Sequence, residues 1–87
     1  SIEDALRRFD GGLVVHLEPE DQGLLPELKA TLLEHKGKRP LYLTVRGADG
    51  NLRRVRAGGD LRVAINAELT EEVSRLLGRG RVKLARL

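Results

Sequence analysis

The groups in this sequence that could run acid–base or metal chemistry are 2 histidines and 13 acidic residues. His16 interrupts the apolar run "LVVHL", Leu13 to Leu17. That setting suits a core or edge histidine bonded to backbone better than a general base. His35 stands with Lys36 at the carbonyl end of a leucine-rich segment, where a helix terminus favours positive charge. Neither histidine has a metal-ligand spacing such as H-x-x-x-H. The acids gather as Glu18, Glu20 and Asp21 before one helical segment and as Glu68, Glu71 and Glu72 within another. Acids in a first helical turn need only the helix dipole to account for them. No nucleophile, metal set or cofactor loop accompanies these groups, so no catalytic, metal-binding or cofactor-binding residue is assigned.

Two glycine-containing turns resemble phosphate loops only at first sight. "GRGRVK", residues 78–83, has a G-x-G start but no third glycine, and it lies between a helix and a strand in the order opposite to a dinucleotide fingerprint. Gly37-Lys38 lacks the upstream glycine and the hydroxyl residue of a P-loop. Both are expected to be helix stops, with Gly37 in the left-handed conformation.

Basic residues are the remaining chemical signal. Arg53, Arg54 and Arg56 cluster on one segment, Lys36, Lys38 and Arg39 crowd one turn, and Arg79, Arg81, Lys83 and Arg86 mark another. Such runs serve as a solvated face, as protection of a sheet edge, as phosphate contacts, or as a docking surface for an acidic or extended protein. The balance of 16 cations against 13 acids, a net charge of +3, is only mildly basic. Aromatic content is 2%, namely Phe9 and Tyr42, so any mode of binding that stacks bases on aromatic rings is poorly served.

The elements that must position these groups follow from periodicity. Ile2, Ala5, Leu6 and Phe9 make one stripe on a short helix capped by Ser1 and stopped at Asp10-Gly11-Gly12. "LVVHL" is a buried strand, and Leu25, Leu28, Leu32 and Leu33 form a helical stripe opened by Pro26. "PLYLTV" alternates as a half-buried strand, Asp49-Gly50 predicts a hairpin, "LRRVRA" returns as a polar strand, and Gly58-Gly59 suggests a second tight turn before "LRVAI". Asn66 caps a helix striped by Leu69, Val73, Leu76 and Leu77, and Val82 and Leu84 mark a last strand. A shift of 41 positions superimposes Leu28 on Leu69, Leu32 on Val73, Gly37 on Gly78 and Leu41 on Val82. Each half therefore reads as helix, glycine stop, basic turn and strand.

These elements predict a small two-layer α+β domain. Its mixed sheet of four to five strands carries two helices on one face, and a short N-terminal helix precedes it. Residues 1–12 are expected to be a linker helix and turn, and 13–87 a single domain near the low end of what folds alone. No cysteine is present, which excludes disulfides and thiolate metal sites. No apolar run reaches the length of a membrane helix. The chain opens at Ser1 without any methionine, which reads as a piece of a longer cytoplasmic protein.

"LPELKATLLEHKGKRPLYLTV" followed by "LRVAINAELTEEVSRLLGRGRVKL" resembles the extreme C-terminal domain of the bacterial DNA polymerase III alpha subunit. There a leucine-rich helix ends in a His-x-Gly turn before an apolar strand, and an "RV" strand leads into a helix closing on "LLG". The matching positions are His35 and Gly37, Arg62 and Val63, and Leu76, Leu77 and Gly78. The resemblance covers residues 13–87 and implies a non-catalytic module, with polymerase chemistry residing in a separate upstream palm domain. It implies docking onto the tau subunit of the clamp loader, alongside other domains of the same polymerase chain and with no cofactor. The expected partner-binding segment is Arg81, Val82, Lys83, Leu84 and Leu87. The alternative is an auxiliary module contacting single-stranded DNA, with Arg53, Arg54 and Arg56 as its phosphate contacts.

Overall fold

Leu13, Val15 and Leu17 alternate along one strand and stand beside Leu41, Leu43 and Val45 of the next, so one face of a sheet is continuously apolar. That face must be covered, and two amphipathic helices cover it. The computed structural model describes residues 1–86. Along the chain these are α1 (Ile2–Arg8), β1 (Gly12–Leu17), a 3₁₀ turn (Pro19–Leu24), α2 (Leu25–Leu33), β2 (Lys36–Arg46), β3 (Leu52–Arg56), β4 (Arg62–Val63), α3 (Ala67–Leu77) and β5 (Val82–Ala85). The strand order is β3-β2-β1-β5, with β4 also on β2. β1 and β2 are parallel across the α2 crossover, and every other pairing is antiparallel. The fold is the expected mixed sheet of five strands in a small α+β domain.

The core joins both helices to that one sheet face. Leu28 and Leu32 of α2 and Leu69, Val73 and Leu77 of α3 cluster with Leu13, Val15, Leu17 and Leu41. Each fully buried leucine or valine stabilises the fold by about 1.5–3 kcal/mol relative to exposure. Asn66 caps α3 by accepting from the Leu69 N–H at 2.8 Å, and Ser1 caps α1 through the Asp4 N–H at 3.2 Å. α1 lies against the domain, with Leu6 and Phe9 packed on the core and Glu3 Oε2 accepting from the Ala67 N–H at 3.1 Å. The stripe of α2 is narrower than its sequence suggests, because Leu25 and Leu33 are exposed.

Two expectations are corrected. Gly37 is not a left-handed helix stop. α2 ends at Glu34 in ordinary right-handed geometry, and Gly37 lies inside β2. Its glycine character serves a close approach instead, since a Cβ there would stand 2.4 Å from the Ala64 amide nitrogen. The basic segment Lys36–Arg39 is accordingly strand rather than turn. Gly78, by contrast, has φ 110° and does end α3, so the two halves share helix packing but not the same stop. Gly58-Gly59 does form the expected turn, with φ 65° at Gly59, though β3 and β4 on either side of it are both antiparallel to β2, on its C-terminal and N-terminal halves respectively, and so run the same way.

Candidate functional site

Strand alternation sends the residues between those core positions to the opposite, helix-free face. Across that face, Val14 of β1 is flanked by Lys83 of β5 and Tyr42 of β2, and Tyr42 in turn by Arg56 of β3. One row further along, His16 faces Thr44, and Thr44 faces Arg54. Arg46 stands beyond them opposite Leu52. Arg81 closes the other side, its backbone carbonyl accepting from the His16 N–H at 2.7 Å. A cleft of about 350 Å³ opens here, lined among others by Val14, His16, Thr44, Arg54 and Lys83. Val14 is only 4% exposed yet lies outside the core cluster. It gives the cleft an apolar floor.

Carboxylates tie down part of this charge. Arg46 donates to both Glu18 oxygens, at 3.0 Å from Nε and 3.2 Å from Nη2, and His16 Nε2 lies 2.9 Å from Glu18 Oε2. These bonds, Arg46 first and His16 second, hold the Glu18 carboxyl down at about 2. Glu18 is therefore a fixed anion near neutrality, not a proton donor. Arg81 Nη1 donates to Asp21 Oδ2 at 2.5 Å and to the His16 carbonyl at 3.1 Å. That guanidinium, followed by the Glu18 N–H, pulls the carboxyl of the buried Asp21 below its ordinary range. His16 thus bonds a carboxylate where a backbone partner was expected, and Asp21 does more than complement a helix dipole. Arg54, Arg56 and Lys83 have no ion-pair partner among the described residues. The Arg56 guanidinium sits 5.5 Å from the Tyr42 ring centre, a cation–π contact.

The expected site residues divide between two faces. Arg54, Arg56, Arg81 and Lys83 come together on the open face. Arg53, Val82 and Leu84 have the opposite parity, in register with Val45, Val15 and Leu13 of the core face. Arg53 instead pairs with Asp49 at 2.8 Å within its own hairpin. Leu87 lies outside the described residues. His16, Thr44 and Tyr42 share this face, and Arg46 joins it without having been singled out.

Elsewhere, one group of metal-donor type exists among the described residues: the ligand atoms of His35, Glu68 and Glu72 lie within 4.8 Å of one another. His35 Nε2 already bonds Glu72 Oε2 at 3.0 Å, tying the end of α2 to α3. A helix-to-helix staple accounts for that geometry without an ion. No helix is long and apolar enough to cross a membrane among the described residues. No protein-family model matches this sequence, and no curated protein matches it either.

Proposed function

We propose that this chain is a non-catalytic docking module of a bacterial replicative DNA polymerase, similar to the extreme C-terminal domain of the DNA polymerase III alpha subunit. In this reading it tethers a polymerase, whose active site lies in a different part of the polypeptide, to the tau subunit of the clamp loader in the cytoplasm. The observation that carries the reading is the exposed outer strand. β5 pairs only with β1 among the described residues, and its Leu84 is 44% exposed. An unpaired sheet edge with an exposed leucine offers both backbone hydrogen bonds and an apolar anchor to an extended partner segment. The order of helices and strands that carried the resemblance supports it further, with Arg62 and Val63 in β4 and Leu76 and Leu77 closing α3.

The test is calorimetric titration of this chain against a tau fragment, repeated with Leu84→Asp. Binding of the parent chain, weakened at least about tenfold by the substitution (about 1.4 kcal/mol), is the expected result. A folded parent chain that does not bind tau, or a variant that binds equally well, overturns the reading.

A further inference from the structure

We propose that the helix-free sheet face is a second, separate site, which binds the phosphate backbone of a single-stranded nucleic acid. Five cations converge there from three strands and the turn before the last: Arg46 of β2, Arg54 and Arg56 of β3, Arg81 just before β5, and Lys83 of β5. Among the described residues, Glu18 and Asp21 are the carboxylates that bond them, and Glu20 lies near enough to act on Arg46 and Arg81. Five positive charges against three negative leave a local excess of two, out of a net charge of +3 for the whole chain. Most of the surplus is thus concentrated where no helix covers the sheet. Concentrated like charge in a concavity attracts a polyanion.

The geometry selects the kind of polyanion. Neighbouring strands are spaced by about 4.8 Å, so Lys83 on β5 and Arg56 on β3 flank a strip about 14 Å wide. Along the strands, the rows holding Lys83 with Arg56 and Arg81 with Arg54 are about 6.7 Å apart. Arg46, Arg54, Arg81 and Lys83 line the cleft with Arg56 beside it on β3, and among the described residues strands present these cations, with no helix packed on this face to enter a duplex groove. An extended single strand fits such a cleft. The Thr44 hydroxyl adds a donor on its floor, and Tyr42, held beside Arg56, offers one ring for one base. With a single aromatic platform, recognition rests on phosphate and does not discriminate sequence.

Arg46 and Arg81 are already neutralised by their carboxylates, so the cations free to release counterions are Arg54, Arg56 and Lys83. Three phosphate contacts to a single strand give a slope of log K against log salt of about −2. Affinity should then fall about 16-fold between about 50 and about 200 mM salt.

The experiment is fluorescence anisotropy of a labelled oligothymidine of about 15 nucleotides with the 87-residue chain. The variant Arg54→Ala/Arg56→Ala/Lys83→Ala should abolish most of the binding and flatten the slope. The control Arg7→Ala/Arg53→Ala/Arg75→Ala removes the same charge from other surfaces and should leave both nearly unchanged. Circular dichroism checks the fold of each, and the single reversals Arg54→Glu and Lys83→Glu give the same reading if the triple variant loses structure. The proposal is overturned by any of three outcomes. The unmodified chain fails to bind at low salt, the control weakens binding as much as the triple variant, or a duplex or polyglutamate of equal charge competes as well as the single strand. Tau binding is read in a separate titration, so either site can fail alone.

Discussion

Replacing Gly37 separates two physical reasons for a glycine. Were it a left-handed helix stop, Gly37→Ala would cost about 1 kcal/mol or a little more, and Gly37→Asn would recover much of the loss, because asparagine tolerates that conformation. In β2 the cost has another origin. An added Cβ would meet the Ala64 nitrogen at 2.4 Å and both Ala64 Cα and the Val63 carbonyl carbon at 2.6 Å. All three are backbone atoms, so no side chain can swing aside. β4 must retreat, loosening the fully buried Val63 and the 2.7 Å bond from the Ala64 N–H to the His35 carbonyl. Overpacking of this kind costs about 1–3 kcal/mol, and the hydrogen bond about 1 more. The expected loss is thus about 2–4 kcal/mol, out of a total of about 4–13 for a domain of this size. Urea unfolding followed by circular dichroism should show the midpoint falling by about 1–3 M for both Gly37→Ala and Gly37→Asn. An unchanged midpoint for the alanine variant, or rescue by asparagine, would refute the close-approach account.

Two further perturbations test the core and the ion pairs. Leu69→Ala empties a fully buried position of α3 and should cost about 2–5 kcal/mol in the same assay; a loss below about 1 kcal/mol would mean α3 is not seated in the core. The Glu18 carboxyl is lowered from 4.5 to about 2 on folding, so its stabilising contribution is complete above about 4.5 and lost as pH falls from there toward 2. Asp21, also lowered, acts with the same sign. Glu18→Gln should therefore reduce the melting temperature at neutral pH, with the gap to the parent chain closing as pH approaches 2. Parallel melting curves across that range would remove Glu18 from the account.

Much of the scaffold is written locally. Asn66 with Leu69, Val73 and Leu77 marks α3 because cap and stripe both lie within one short segment. Leu41, Leu43 and Val45 mark the buried face of β2 for the same reason, and Asp49-Gly50 marks the hairpin because its turn needs φ near 84° at Gly50. At Gly37 the local signal misleads, because "HKGK" satisfies a helix stop equally well. What decides its role is the backbone of Val63 and Ala64, more than twenty residues later. Gly58-Gly59 carries a genuine turn signal, with φ 65° at Gly59, but a turn residue does not state whether the chain reverses or merely steps around an irregularity.

The candidate surfaces were half legible. Alternation alone separates Arg54 and Arg56 from Arg53, and Lys83 from Val82 and Leu84, so that division was available in the sequence. That β5 lies beside β1, bringing Lys83 and Arg81 onto the face that also holds Arg54, depends on pairing across some seventy residues. The same holds for Asp21 with Arg81 and Glu18 with Arg46, whose partners are 60 and 28 positions apart. No local pattern announces them.

The pairing of Gly12 with Ala85 has a mechanical consequence. The first and last strands are antiparallel neighbours, so the chain enters and leaves the sheet at the same end of one ladder. Tension applied between a preceding segment and anything gripping the tail would open that ladder like a zipper, one rung at a time, instead of shearing all rungs together. A coupling built this way yields under small pulling forces and re-forms when they relax.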